Sequence, residues 1–227
     1  IALSKAAEME LSARARGPLS WIPPALDPAP PPSRAEIAAA CAKAGVSENG
    51  FVLYAGNLDA YQELGLLADA ATRMAKERGQ SSLPVVVVTH DRSRSAPAPL
   101  RVVRADSAAE ARALTFAASV AVLARRSPGG FPVKLLNYME AGRAIVGFAG
   151  VAEGLLHGRE AWLLPPQAGA EGLARTVGQL ASMPAVAGQL GGAARRRLER
   201  AHGSTALAER TLAVIEEVRS RAAGERS

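Results

Sequence analysis

The sequence has 227 residues, 48% hydrophobic and 21% charged, which is enough apolar material for one α/β domain plus a fragment. No uninterrupted apolar run approaches the roughly 20 residues that a membrane-spanning helix needs, and the single cysteine, Cys41, leaves no internal disulfide, which favours a cytoplasmic protein. The net charge of +6 suits an anionic partner, such as a nucleotide diphosphate or the inner face of a membrane, whereas an aromatic content of 4% argues against nucleic acid.

The first 32 residues read as two connecting segments. Residues 1–17 have the pattern of a strand end that runs into a helix, with no earlier element to pack on. We therefore expect a C-terminal piece of a longer protein; a processed or recombinant start of an independent domain is the alternative. Residues 21–32, WIPPALDPAPPP, are proline-rich and should form an extended, semi-rigid connector. A helix follows, with the capping pair Ser33 and Glu36 at its start and Gly45 at its end.

From residue 51 onward, short apolar runs alternate with amphipathic segments. This alternation predicts a doubly wound parallel sheet, whose ligand crevice lies beyond the carboxyl ends of its strands, and the chain ends in helices. Gly191 and Gly192 are interpreted as a break between helices. The predicted strands cover residues 51–55, 84–89, 100–103, 119–123, 144–148 and 161–164. The predicted helices cover residues 61–78, 108–117, 132–142, 151–157, 170–183, 185–202 and 205–222.

The segment 118–149 carries the clearest functional signal. A predicted strand ends in the loop PGG at residues 128–130, and the helix that follows has Lys134 in its first turn. Unpaired N–H groups at a helix start, the positive end of the helix dipole and a cation together favour an anion, most often phosphate. Lys134, Asn137 and Tyr138 share one face of this helix, so an amide lies one turn beyond the cation. A glycine turn that serves packing alone is the competing interpretation.

Two motifs resemble a known family. GGFPVKLLNYMEAGRAIV, at residues 129–146, resembles the signature region of glycosyltransferase family 4, within the glycosyl transferases group 1, whose enzymes have the GT-B fold. YAGNLDAYQELGLLADA, at residues 54–70, resembles the start of the nucleotide-binding half of such enzymes. The resemblance implies four parts: a remnant of the N-terminal GT-B domain at 1–20, an interdomain linker at 21–32, a Rossmann-like donor-binding domain at 33–204, and a C-terminal crossing helix with a tail at 205–227.

The resemblance also implies donor-binding residues, with departures from the family pattern. An Arg and a Lys that approach the donor phosphates in the family correspond to Asn57 and Gln62. Two glutamates that bind the sugar and the ribose in the family correspond to Gly129 and Asn137. The implied donor-binding set is Gly56, Asn57, Gln62, Arg104, Arg126, Gly129, Gly130, Phe131, Lys134 and Asn137.

These departures leave two interpretations of the site. In the first, Lys134 and either Arg125 or Arg126 replace the missing cations, and the loop at 104–106 receives the nucleobase through backbone contacts. Asn137 can still bond a ribose diol through its amide, whereas a glycine at position 129 offers only its backbone. In the second, the chain is a non-catalytic nucleotide-binding or scaffold domain that has lost the acidic residues.

The reaction implied by the resemblance is transfer of a sugar from a nucleotide diphosphate sugar to a glycan, lipid or small-molecule acceptor. The family retains the anomeric configuration and needs no metal or other cofactor. The catalytic groups on the acceptor side are expected in an N-terminal half, so this chain alone should bind nucleotide and transfer little or no sugar. A nucleotide-sugar epimerase on a similar fold is the weaker alternative. The wide spacing of His90, His157 and His202 argues against a metal site.

Overall fold

The computed structural model describes residues 1–15, 17, 19–79 and 82–224, and within them six parallel strands form one sheet. The strands are β1 (Val52–Ala55), β2 (Val85–Thr89), β3 (Arg101–Arg104), β4 (Val120–Val122), β5 (Ala144–Phe148) and β6 (Trp162–Leu164). Their order is β3-β2-β1-β4-β5-β6. The order reverses between β1 and β4, where Val52 pairs with Val85 on one side and with Val120 on the other. The predicted doubly wound sheet is thereby confirmed, and its switch point is a natural ligand crevice.

Helices flank the sheet, and helices also form the C-terminal part. They are α1 (Lys5–Ser12), α2 (Arg34–Ala44), α3 (Leu64–Arg78), α4 (Ala108–Ala117), α5 (Lys134–Glu140), α6 (Gly169–Ala181), α7 (Pro184–Ala201) and α8 (Ser204–Gly224). Helix α3 packs on α6, α2 on α4, and α5 on α7. In the described part of the chain, no helix combines the length and the apolarity needed to cross a bilayer.

The sheet centre is apolar because its strands are covered on both faces. Strand β2 has the sequence VVVVT and is buried at every position, as are β4 and β5. Strand β3 lies at the sheet edge and carries an exposed arginine at each end. Charges at the ends of a short edge strand discourage pairing with another chain.

The helix predicted at 151–157 is wrong, because the structure has turns there. Gly150, Gly154 and Gly158 have positive φ angles of 83°, 82° and 71°, which a right-handed helix does not accommodate. Buried carboxylates hold the turns instead: Glu153 accepts a bond from the Lys5 amide at 2.8 Å, and Glu160 accepts one from the Leu156 amide at 3.0 Å.

Three helix boundaries also differ from the predictions. Helix α7 continues through Gly191 and Gly192, so the predicted break is wrong. The helix predicted from residue 61 is a 3-10 turn at Ala60–Gln62 followed by α3. Helix α5 begins at Lys134 rather than at Pro132, although Leu135 donates to the Pro132 carbonyl at 2.8 Å across the preceding turn.

The proline-rich segment at 21–32 lies extended against the domain. The Leu26 amide donates to the His202 carbonyl at 2.8 Å, and the Ala29 amide donates to Glu140 at 3.1 Å. Arg112 donates to the carbonyls of Ala29 and Pro30, both at 3.0 Å, and pairs with Glu140 at 2.8 Å. The division of the chain into four parts remains a prediction, but this segment is anchored to the sheet domain by several bonds.

Candidate functional site

A cleft of about 1170 Å³ opens at the switch point of the sheet. One wall is formed by the segment after β1 together with the residues after β2, and the opposite wall is formed by the loop between β4 and α5. The polar and loop residues that line it include Gly56, Asn57, Tyr61, Gln62, His90, Asp91, Arg125, Gly129, Gly130, Phe131, Lys134 and Asn137. The structure therefore brings together eight of the predicted donor-binding residues, from the segment after β1 and the segment after β4, at the end of the sheet where ligands of doubly wound domains bind.

Lys134 lies at the centre of this cleft. Its Nζ donates to the hydroxyl of Tyr54 at 2.6 Å and to Oε1 of Gln62 at 2.9 Å, and it lies 3.9 Å from the centre of the Tyr54 ring. Both hydrogen-bond partners are neutral, and among the described residues no carboxylate forms an ion pair with this ammonium. The cation is thus held in place without being neutralised.

Burial of the Lys134 ammonium lowers its pKa to about 7, and the charge of Arg125 acts in the same direction. Desolvation disfavours the charged form of a lysine, and a neighbouring cation adds repulsion. A negatively charged ligand would counteract both effects, because it adds favourable Coulomb energy around a buried ammonium. The surroundings of Lys134 therefore favour an anion.

The turn after β1 is shaped around this lysine. Gly56 has φ of +144°, and a Cβ atom added there would lie 2.8 Å from Nζ and 3.1 Å from Cε of Lys134. The Tyr54 hydroxyl donates to the Asn57 carbonyl at 3.1 Å, which fixes the same turn from below. Asn57 itself turns its side-chain amide toward Asp59. Glycine is favoured at position 56 because L side chains rarely adopt a φ of +144°, and because an added Cβ would displace the Lys134 ammonium.

The loop between β4 and α5 contributes a second cation. Arg125 lines the cleft, and its Nη2 donates to the Gly130 carbonyl at 2.9 Å. Its Nη1 lies 3.0 Å from the position of a Cβ on Gly129, so the guanidinium occupies space beside this glycine. Among the described residues, no acid forms an ion pair with Arg125. Two cationic groups therefore face one cleft.

Arg126 and Arg104, two members of the predicted set, do not line the cleft. Arg126 pairs with Glu63, with Nη2 2.6 Å from Oε1, while its amide donates to Oε2 at 2.5 Å. Glu63 lies at the start of α3, where it has a left-handed φ of 52°. Arg104 donates to the Arg94 carbonyl at 3.2 Å at the sheet edge. Their donor-binding roles remain predictions.

The remaining predicted residues have different environments. Asn137 is exposed at the cleft, one helical turn from Lys134, as its spacing predicted. Tyr138 was expected on the same face, but it is fully buried and its hydroxyl accepts a bond from the Ala55 amide at 2.8 Å. His90, directly after β2, contacts the Ala105 carbonyl through its Nδ1 atom at 2.9 Å.

Tyr54 was missed as a site residue by the sequence interpretation, whereas His90 was expected among the loop residues that follow the strands. Tyr54 reads as a core position of a strand, and only its hydroxyl contact with Lys134 shows a role in the cleft. His90 directly follows a predicted strand, and the structure places it in the cleft lining at the carboxyl end of β2. Within the described chain, no cluster of three or more His, Cys, Asp and Glu side chains could hold a metal ion.

A family model described as glycosyl transferases group 1 matches residues 49–183, which is more than half of the chain. The chain therefore belongs to this family. Its parallel sheet with flanking helices is a Rossmann-like fold that it shares with GT-B glycosyltransferases. No curated protein matches the sequence significantly.

Several solved structures share this fold. HepE from Anabaena, solved with UDP-glucose, aligns with a TM-score of 0.77 at 15% identity over 95% of this chain and 62% of HepE. A TarM variant from S. aureus, solved with fondaparinux, α-GlcNAc-glycerol and UDP, aligns with a TM-score of 0.71 at 12% identity over 93% of this chain and 42% of TarM. Sucrose-phosphate synthase from Thermosynechococcus elongatus aligns with a TM-score of 0.72 at 19% identity over 97% of this chain and 58% of that enzyme. The chain thus spans 42% to 62% of the length of these structures.

Proposed function

We propose that this chain is the donor-binding half of a retaining glycosyltransferase resembling family 4, and that its cleft binds a nucleotide diphosphate sugar. Membership of the glycosyl transferases group 1 supports the reaction class. HepE, which shares the fold, was solved with UDP-glucose, and the TarM variant with UDP, which supports the ligand class. The acceptor, a glycan, a lipid or a small molecule, would meet this donor across a second domain.

The observation that carries the proposal is a pair of basic side chains in the cleft, Lys134 and Arg125, that form no ion pair with any described residue. Within the described part of the chain, Lys134 donates to two neutral acceptors and Arg125 donates to a carbonyl oxygen. A diphosphate linked to a nucleoside and a sugar carries two negative charges, so one such ligand matches two such side chains. The position of both side chains at the switch point of the sheet is where a doubly wound domain holds phosphates.

In the transfer step, the bond between the anomeric carbon and the diphosphate breaks, a bond forms between that carbon and the acceptor hydroxyl oxygen, and the hydroxyl proton is released. Negative charge develops on the departing phosphate oxygen, and Lys134, which is largely buried, and Arg125 would stabilise this charge from positions fixed in advance. The proposal involves no metal ion or other cofactor, because these side chains supply the positive charge. Asn137, exposed one turn beyond Lys134, can donate to and accept from sugar or ribose hydroxyls.

Thermal unfolding of this chain in the presence of UDP, GDP, ADP and their sugar derivatives tests the proposal. A ligand at about 100 times its Kd adds roughly 2.7 kcal/mol to the free energy of unfolding, which raises Tm by several degrees. We expect one nucleoside series to raise Tm, and Lys134→Ala to remove the rise. Lys76→Ala, on the exposed face of α3, is the matched control and should leave the rise intact. A Tm that no nucleotide changes would overturn the proposal.

A scaffold domain that binds nucleotide without turnover is the second candidate, and Gly129 favours it. The family glutamate is missing there, and the guanidinium of Arg125 lies beside the glycine. Donor hydrolysis and sugar transfer would be measured in a longer protein that includes the N-terminal half, with and without Gly129→Glu and Asn137→Glu. Nucleotide binding with no turnover in any of these proteins would favour the scaffold over the enzyme.

A further inference from the structure

The hydroxyl of Tyr54 connects the cation of the cleft to the turn that borders it. It accepts a hydrogen bond from Lys134 Nζ at 2.6 Å and is directed to the Asn57 carbonyl at 3.1 Å. Because a phenol has one proton to donate and lone pairs to accept with, both contacts form at once. The ring itself is fully buried in β1, so the hydroxyl has a fixed position.

The charge of Lys134 is stabilised mainly by its hydrogen bonds to Tyr54 and Gln62, as the other groups around it show. On the elements packed against it, the titratable or charged groups are Tyr54 on β1, Asp59, Tyr61 and Glu63 between β1 and α3, Arg125 after β4, and Tyr138 on α5. His90 and Asp91 face the same cleft from the end of β2. Asp59 is already paired with Arg94, and Glu63 with Arg126. The ammonium is therefore held mainly by neutral acceptors, Tyr54 and Gln62.

We propose that Tyr54 is a positioning residue for diphosphate binding, whose hydroxyl holds the Lys134 ammonium against the turn at Gly56 and Asn57 by accepting a hydrogen bond from it. This inference rests on the proposed function of the cleft. Tyr54 acts through Lys134, and the effect is a higher affinity of the cleft for the nucleotide diphosphate sugar.

The proposal predicts a pH-dependent effect of removing the hydroxyl. The pKa of Lys134 is about 7, and an anionic ligand raises it, so affinity falls as pH rises above this value. Loss of a neutral acceptor destabilises the ammonium and moves the fall to lower pH. A merely structural loss would weaken binding by the same factor at every pH.

Tyr54→Phe removes the hydroxyl and keeps the ring, and its binding would be measured by calorimetric titration of this chain. UDP-glucose, GDP-mannose and ADP-glucose are used in turn, because their phosphates carry one charge each and do not titrate near neutral pH. If the substitution lowers the pKa of Lys134 by about one unit, affinity falls roughly tenfold at about pH 8 but only about twofold at about pH 6. An equal factor at both pH values, or an unchanged affinity, would overturn the proposal.

Tyr138→Phe is the matched control. Tyr138 is as fully buried a residue as Tyr54, but its hydroxyl accepts from the Ala55 amide, and the residue lies outside the cleft lining. We expect it to lower Tm and to change affinity, if at all, by the same factor at both pH values. If Tyr54→Phe does not fold, Gln62→Met removes the other neutral acceptor from the same ammonium, and a pH-independent effect of that change would overturn the proposal. A wild-type chain that binds none of the three nucleotide sugars would contradict the proposed function itself, and the inference would fall with it.

Discussion

Lys134 is a charged residue at a position where burial disfavours its charge, and this has a measurable effect on stability. An unfolded lysine keeps its ordinary pKa of 10.5, whereas the folded value is about 7. Between these two values the unfolded chain binds one more proton, so the free energy of unfolding rises with pH. Relative to Lys134→Met, which does not titrate, we expect wild-type stability to rise by on the order of 3 kcal/mol between about pH 7 and about pH 10. Urea unfolding across this range measures the difference.

The control for this prediction is Lys76→Met, on the exposed surface of α3. Its stability difference from wild type should stay constant over the same pH range. A constant difference for Lys134→Met as well would show that the cleft solvates this lysine much as water does.

Gly56 is the second residue whose identity the cleft determines. Alanine at this position has an unfavourable φ of +144°, and its Cβ would displace the Lys134 ammonium. We expect Gly56→Ala to cost about 1–3 kcal/mol of stability and to weaken nucleotide-sugar binding. Gly65→Ala on α3 is the control, since nothing lies within 4 Å of its added Cβ. It should leave binding unchanged and stability equal or higher by about 0.5–1 kcal/mol. Thermal unfolding and calorimetric titration measure both, and normal affinity in Gly56→Ala would contradict the predicted displacement.

For single residues, the sequence predicted which residues of α5 lie at the cleft more readily than it predicted where the loop side chains point. Lys134 and Asn137 were predicted at the cleft from their helical spacing, and both line it. The sequence could not show which of Arg125 and Arg126 lines the cleft, because the direction of each loop side chain depends on a partner that is distant in sequence. Here that partner is Glu63, which forms an ion pair with Arg126, and Arg126 does not line the cleft.

Helix α7 shows why glycines within an element are hard to interpret from sequence. Gly191 was expected to break a helix, but its Cα faces the turn after α5, and an added Cβ would overlap the Gly142 carbonyl oxygen. We expect Gly191→Ala to lower the free energy of unfolding by more than about 2 kcal/mol, because the added methyl group overpacks this contact. Gly188→Ala, on the same helix with nothing within 4 Å, should raise it by about 0.5–1 kcal/mol. Denaturant unfolding of the two variants measures the contrast, and equal effects would show that the close approach is not maintained in solution.

The predicted strands agree well with the observed ones because each is a short apolar run enclosed by glycine, proline or polar residues. Strand β2, VVVVT, has one low-energy solution, which is burial on both faces. The segment at 151–157 has no such constraint. Its turns depend on Glu153 and Glu160 finding amide donors, one of them on α1, and no local pattern shows such a distant partner.

For the molecule as a whole, the alternation of strands and helices was sufficient to predict the sheet, its switch point and the position of the cleft. The relation of the segment 21–32 to that domain was not predictable. Its prolines indicate an extended chain but say nothing about what the chain lies against. In the structure it runs over the domain surface and is bonded to Glu140, Arg112 and His202.

The last prediction concerns this anchoring and its connection to the cleft. Glu140 is almost fully buried at the end of α5, the helix that begins with Lys134, and it binds both Arg112 and the Ala29 amide. Removing one partner of a buried ion pair leaves an uncompensated charge, so Arg112→Met should cost about 3 kcal/mol of stability. The double variant with Glu140→Leu should be more stable than the sum of the two single effects by about 1 kcal/mol or more, measured by urea unfolding in a double-mutant cycle.

Arg175→Ala, which removes an exposed pair with Glu171, is the control and should change stability by less than about 0.5 kcal/mol. Additive effects of Arg112→Met and Glu140→Leu would contradict a coupled anchor.

If the coupling is present, a displacement of the segment at 21–32 is transmitted to α5, the helix that carries Lys134. The Ala29 amide is bonded to Glu140 at the end of this helix, and seven residues of α5 connect Glu140 to Lys134. Nucleotide-sugar affinity should therefore fall in Arg112→Met, although Arg112 lies outside the cleft lining, and calorimetric titration of that variant measures it.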